Sequence, residues 1–160
     1  MADRIVVMNE ARIQQVADPL TIATRPATEL VARFMGDNNI ISGTVTQSQN
    51  GRVVIEDQDH IQVSVHDSGG TAPAVGERAL VAIRAAAVEV GETGDGTPDN
   101  SARCEIVFVE FLGDLVKLHL LAGNERMLAK VSAEQYPSLR GREGDTIRIS
   151  WKEEDVQFLD

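Results

Sequence analysis

Cysteine occurs once, at Cys104, so no intrachain disulfide is possible and no zinc cluster is spelled. Aromatic residues are 4% of the chain, too few for a surface that stacks single-stranded bases. Basic residues are outnumbered: 15 Lys and Arg against 25 Asp and Glu give a net charge of −10. That balance opposes a nucleic-acid backbone and anionic lipid as main partners. It permits a cationic ligand, or plain solubility. No apolar run reaches the roughly 18 residues of a membrane span. The opening Met1-Ala2-Asp3-Arg4 lacks the pattern of a signal peptide. No nucleic acid and no direct membrane insertion are therefore expected, and a cytoplasmic setting fits.

What is present is a 160-residue chain with 42% hydrophobic and 25% charged residues, the size of one domain with an appendage. Residues 4–8 and 12–16 read as the strands of a hairpin around Asn9-Glu10. Asp18-Pro19 is a helix start, because Asp caps free backbone N–H groups and Pro suits the first helical turn. A second helix carries Leu30, Val31 and Phe34 on one face, and Gly36 is placed to end it in a left-handed cap.

From Asn39 the texture changes to short β-rich runs: 40–46, 52–56, 61–65, 79–84, 105–111, 115–121, 126–131, 146–151 and 156–159. Turn pairs at Asn50-Gly51, Gly69-Gly70 and Gly123-Asn124 separate several of them. Many short strands with little helix predict a mainly β fold, a small closed or nearly closed barrel. A helical turn is expected at 133–136, stopped by Pro137, and a mobile polar loop at 91–101.

That loop separates two related halves. From Gly76 the first ends GERALVAIRAAAVEV, and from Gly144 the second ends GDTIRISWKEEDVQF. Gly76 aligns with Gly144, Ile83 with Trp151, Arg84 with Lys152 and Val88 with Val156, without a gap. Either these are duplicated β units sharing one core, or two strand-turn-strand patterns have converged.

No catalytic constellation emerges. The phosphate-loop pattern is absent, and the glycine-rich run 91–96 is acidic and lacks lysine. No Gly-x-Ser-x-Gly elbow is present. His60, His66 and His119 do not stand at ligand spacing with each other or with Cys104, so no metal site is expected. Trp151 reads as a core anchor, Cys104 as a buried or edge-strand thiol, and Glu153-Glu154-Asp155 as a solvated turn.

The motifs, in order, resemble a known family. Ala2-Asp3-Arg4-Ile5-Val6-Val7-Met8-Asn9, Arg12-Ile13-x-Gln15, Asp18-Pro19 and Arg25-Pro26-Ala27-Thr28 resemble the tail of the nucleotide-binding domain of an ABC-transporter ATPase subunit. Phe34-Met35-Gly36-x-Asn38-Asn39 with Gly43-Thr44-Val45 resembles the junction into its carboxy-terminal TOBE domain, an OB-like or MOP-like barrel. Gly76-Glu77 with Val81-Ala82-Ile83-Arg84, Phe111-Leu112-Gly113-Asp114, and Gly144-Asp145 with Ser150-Trp151 resemble motifs of that domain.

The resemblance implies a nucleotide-binding-domain tail over residues 1–36 and a TOBE-type barrel over 37–160. It further implies a regulatory or dimerisation role in an importer of the polyamine or ferric-iron type. Ligand-cleft candidates by motif match are Arg84, Glu110, Gly113 and Asp114; Ala85-Ala86 stand where the family often has Pro-Glu. The Walker, signature and switch-histidine motifs lie upstream of this chain in the family. No ATP hydrolysis is therefore expected here, while ATP and Mg belong to the intact parent. Expected partners are a second copy, a permease reached through the parent at the inner membrane face, and a small ligand. A stand-alone oxyanion binder, for molybdate for instance, is the alternative, and an OB-type nucleic-acid binder a weaker third. The segment 1–16, lacking an ATPase sheet, is expected to be either disordered or buried in a homodimer contact.

Overall fold

The structure is a computed structural model, and it describes residues 3–91, 98–139 and 142–160. β1 (Ile5–Asn9) and β2 (Arg12–Ala17) pair antiparallel as a separate two-stranded sheet. Glu10 and Ala11 both take positive φ in their turn. The helix α1 (Pro19–Thr24) starts where the Asp18 carboxylate accepts the Thr21 N–H at 2.9 Å. In α2 (Glu29–Phe34), Thr28 plays the same capping part for Val31, and Gly36 follows with φ +120°.

Val7, Ile22 and Val31 form a small core that ties this hairpin to both helices. Within the segment 1–16, Val7 is covered from inside the chain, by both helices, and the rest of the hairpin is largely exposed. Phe34 departs from expectation, being 75% exposed while Val31 and Ala32 fill the buried face. The packed face is centred on Val31 and Ala32, and at about 100° per residue Phe34 lies roughly 160° round the helix from Ala32, so it turns away from the contact.

The remaining strands form two five-stranded antiparallel sheets. The first half supplies β3 (Asn38–Gln49), β4 (Arg52–Glu56), β5 (Gln62–His66), β6 (Arg78–Arg84) and the short β7 (Glu89–Val90). The second supplies β8 (Asn100–Leu112), β9 (Leu115–Ala122), β10 (Glu125–Ser132), β11 (Thr146–Trp151) and β12 (Val156–Leu159). The sheet orders are β12-β6-β3-β4-β5 and β7-β11-β8-β9-β10. The two orders are the same once each half is renumbered, except that the last strands have changed places. β7 completes the sheet of the second half, and β12 completes that of the first.

The likeness extends to detail. β3 slips register between Val45 and Gln47, and β8 between Ile106 and Phe108. Gly76 N–H bonds the Val45 carbonyl at 2.8 Å, and Gly144 N–H bonds the Ile106 carbonyl at 2.7 Å. A three-residue 3-10 turn precedes each exchanged strand, at Ala85–Ala87 and Glu153–Asp155. Matched bulges and matched closures are features that convergent strand patterning does not reproduce, so the halves are a duplication.

Both halves feed one core, which joins Val45, Ile55 and Ile83 to Ile106, Leu120 and Trp151. Each fully buried aliphatic side chain there contributes about 1.5–3 kcal/mol relative to exposure. A second, smaller contact of Ala32, Ala82 and Leu159 seats α2 against the outside of β6 and β12. Gln157 Nε2 and Asp160 N–H donate to the Pro26 and Ala27 carbonyls at 3.1 and 2.9 Å, which pins the same junction.

Gly43 has a steric reason. A Cβ there would stand 2.6 Å from the Glu56 carbonyl oxygen. Trp151 and Cys104 are core residues as expected, and burial pushes the Cys104 thiol up to about 11, which leaves it unreactive at neutral pH.

Two local expectations are revised. The turn near residue 136 is a 3-10 helix over Tyr136–Leu139, with Pro137 inside it rather than ending it. Pro fits there because the first residues of a helical turn need no N–H partner. The loop expected over 91–101 ends earlier, since Asn100 and Ser101 already belong to β8; residues 92–97 lie outside the described residues.

Candidate functional site

Two buried asparagines hold the halves together. Asn39, on β3, accepts the Leu128 N–H at 2.6 Å and donates to the Leu128 carbonyl at 2.9 Å. Asn100, on β8, accepts the Ser64 N–H at 2.6 Å and donates to the Ser64 carbonyl at 3.0 Å. Each side chain thus imitates one rung of a β ladder and clasps the opposite half. Asn39 stands opposite Ile83 and Asn100 opposite Trp151, so the two clasps occupy equivalent positions.

Beside the Asn39 clasp runs a chain of charges. Asp37, in the link from α2 to β3, lies 2.7 Å from Lys130 Nζ and 3.1 Å from Lys117 Nζ. Lys117 stands 3.7 Å from Glu110, and Glu110 is 3.0 Å from His119 Nε2. His119 lies against Phe108, with ring centroids 5.4 Å apart. Alternation on β9 places Lys117 and His119 on one outward face, between Glu110 of β8 and Lys130 of β10. The Lys130 hydrogen bond, then Lys117, holds the Asp37 carboxyl below its usual range. The His119 hydrogen bond does the same for Glu110, and Asp37 raises Lys117.

Of the residues singled out by motif, Glu110 belongs to this chain of charges. Arg84 ends β6 opposite Asn38, half-buried, and the following Ala85 N–H donates to the Asp37 carbonyl at 2.9 Å. Gly113 and Asp114 form the exposed two-residue turn between β8 and β9, with Gly113 at φ +77°. The structure therefore links Glu110 to Asp37 through Lys117, places Arg84 one residue before the Ala85 N–H that bonds Asp37, and sets Gly113 and Asp114 at the hairpin tip. Asp37, Lys117, Lys130 and the two asparagines were missed. The signal available for the asparagines was their equal placement at the head of each half's long strand.

Two grooves flank the clasps. One of about 760 Å³ lies between β3, β8 and the β9–β10 turn, with Arg33, Arg126, His119 and Glu125 in its wall. Its counterpart of about 390 Å³ is lined by Asp59, His60 and Arg103. Burial, with Asp57 and Asp59 nearby, raises the Glu125 carboxyl. No cluster of His, Cys, Asp and Glu suited to a metal is found among the described residues. Among them, too, no helix is long and apolar enough to cross a membrane.

A barrel built from two exchanged β units is an OB/MOP-type architecture. The cytoplasmic molybdate-binding protein ModG, in a form with molybdate bound, superposes with a TM-score of 0.66 at 16% identity, covering 75% of this chain and 94% of that one. At that identity the likeness speaks for the fold alone. Residues 81–159 match the TOBE domain family. The chain is 36% identical over 151 residues to the spermidine/putrescine import ATP-binding protein PotA of Rubrobacter xylanophilus, covering 94% of this chain and 39% of the relative. It is 31% identical over 160 residues to the sulfate/thiosulfate import ATP-binding protein CysA of Nitrosomonas europaea, covering 98% and 41%. The chain is thus a homologue of ABC-importer ATP-binding subunits and carries a TOBE domain. It spans about two-fifths of the length of these relatives.

Proposed function

We propose that this chain is the accessory regulatory and dimerisation region of an ABC importer's ATP-binding subunit, of the polyamine or ferric-iron type. In this reading, residues 1–36 are the end of the nucleotide-binding domain and 37–160 the TOBE barrel. The observation that carries it is the alignment with the polyamine-import subunit, which runs through hairpin, helices and barrel over 94% of the chain. The exposed Val6, Met8, Ile13 and Val16 of the hairpin support it, since they form an apolar face suited to the rest of an ATPase sheet. A permease and a second copy are the partners, and ATP and Mg serve the intact subunit at the cytoplasmic membrane face. Arg84, Glu110, Gly113 and Asp114 remain the ligand-contact candidates.

A second reading, a stand-alone oxyanion binder, draws on Arg33 and Arg126 in the larger groove. Glu125 in the same wall and the net charge of −10 oppose it. A thermal-shift panel of spermidine, putrescine, ferric citrate, molybdate, sulfate and an oligonucleotide separates the readings. The regulatory reading expects either no response, with a stable dimer by light scattering, or stabilisation by a polyamine or iron. Stabilisation by molybdate alone would transfer the assignment to the second reading. The chain itself is expected to show no magnesium-dependent ATP turnover above a buffer blank.

A further inference from the structure

The duplication supplies an internal control for reading the surface. The β3–β4 hairpin turns at Asn50-Gly51, just past the pairing of Gln49 with Arg52. The equivalent pair in the other half, Glu110 with Lys117, is followed by two more, Phe111 with Val116 and Leu112 with Leu115. The β8–β9 hairpin is therefore longer, and its outward residues differ in kind. Where β3 carries Thr46 and Gln47, β8 carries Val107 and Phe108. Val107, Phe108, Phe111, Leu112 and Leu115 are 54%, 51%, 67%, 46% and 44% exposed; Phe108, Leu112 and Leu115 share the face of His119 and Lys117, while Phe111 lies on the other face, edge-on to Tyr136, so the apolar side chains flank the strand edge on both sides. At the two positions with a counterpart, the first half folds with Thr46 and Gln47 in place of Val107 and Phe108, so this unit does not need apolar residues there.

The same stretch has an open backbone edge. β11 pairs with β8 only from Asn100 to Glu105, and Asp145 and Gly144 close the ladder at Ile106. Beyond that point no strand among the described residues pairs with the outer edge of β8; the Val109 N–H reaches only the Glu143 carboxylate, at 3.3 Å. An open edge flanked by exposed apolar side chains is a template for another strand.

We propose that the outer edge and tip of the β8–β9 hairpin form the surface through which two copies of this chain pair. The inference rests on the dimerisation reading above and names its surface. A second copy fits for two reasons. Antiparallel pairing of a strand with its own twofold mate is self-complementary, so one edge satisfies the other and the contact closes. The five side chains expose about 450 Å² of apolar surface, taking bulky residues at about 150–250 Å² when fully open. Two such patches with a polar rim reach the roughly 1,200 Å² at which stable interfaces begin. Glu110 is matched by Lys117, while Asp114 at the tip and Glu143 beside Val109 would stand at the rim of the contact, where water screens them.

The test is the oligomeric state of the full chain by sedimentation and light scattering over a concentration series. Val107→Thr, Phe108→Gln and Leu112→Thr are combined, the first two restoring the residues of the polar hairpin. A control carries Ile13→Thr and Val16→Thr on the amino-terminal hairpin. The expected result is a wild-type dimer, a control that still dimerises, and a tip variant whose dimer dissociation constant rises about tenfold or more, as for loss of apolar anchors. A tip variant as dimeric as wild type, with a monomeric control, would overturn the surface and leave the dimer reading standing. A wild-type chain that stays monomeric would overturn both. Hydrogen exchange on the wild type guards against a misfolded variant. Amides of 107–112 gain protection as concentration rises if the proposal holds; gain elsewhere, with none here, refutes it.

Discussion

The two halves share strand order, bulges, closures and asparagine clasps, yet their outward chemistry has diverged. Outside, the first half presents Thr46, Gln47, Ser48 and Gln49 along β3, and Arg52 bonds Glu153 at 3.1 Å and Ser64 Oγ at 3.0 Å. The second half presents an aromatic and aliphatic tip, and Lys117, the counterpart of Arg52, bridges Asp37 and Glu110. What stayed alike is what the shared core and the exchanged strands require. What diverged lies on the faces where nothing in the fold restrains it.

That comparison can be broken first at the core. Ile83 and Trp151 are equivalent and buried, so Trp151→Ala is expected to cost about 4 kcal/mol and Ile83→Ala about 3 kcal/mol. Each variant should unfold in urea through a single transition. Two transitions in either one would mean that the halves melt separately and the core is not shared.

The clasps come next. Asn39→Ala and Asn100→Ala each strand a buried backbone N–H and carbonyl and are expected to cost about 2 kcal/mol apiece. They hold different strand pairs, so the double variant should lose about the sum. A marked shortfall in the double variant would show that breaking one clasp already loosens the other.

The smallest effect separates the halves by charge. Asp37 has its folded carboxyl below the ordinary value of 3.8, through Lys130 first and Lys117 second. Its contribution is therefore present above that ordinary value and lost as the pH falls through the lower folded value. Asp37→Asn should cost about 1 kcal/mol at neutral pH and flatten the acid limb of a stability-versus-pH curve. The second-half equivalent of Asp37 is Pro98, and beside the Asn100 clasp the acid is supplied from elsewhere, by Glu153 on Arg52 and by Asp99, which accepts the Glu153 N–H. An unchanged acid limb in the Asn variant would place the acid sensitivity elsewhere.

Much of the barrel was readable because alternation is a local property. Strands such as β9, with Val116, Leu118 and Leu120 buried in turn, announce themselves. β7 did not, since Glu89–Val90 is too short to alternate; only its alignment with the β12 region hinted at it. The exchange of β7 and β12 was hidden, because local pattern says that a strand exists and not which edge it joins. The same limit applied to the site. Glu110 stood out by motif, but its setting depends on Asp37 in a linker and Lys130 on another strand. Phe34 looked like a core residue by spacing, but the face that packs runs through Val31 and Ala32, and spacing alone does not say which side of an apolar stripe is covered.

The exchanged strands also govern when the molecule can be finished. A chain leaving the ribosome folds its early segments first, but here the outer edge of β6 waits for β12, made after the rest of the second half. Until then the first half has an unfilled sheet position beside its apolar face, and β7 has no β11 to join. Long-range pairing of this sort slows folding. The duplication therefore matures as a unit, only once β12 has been made, and the order of translation becomes part of how its two halves find one another.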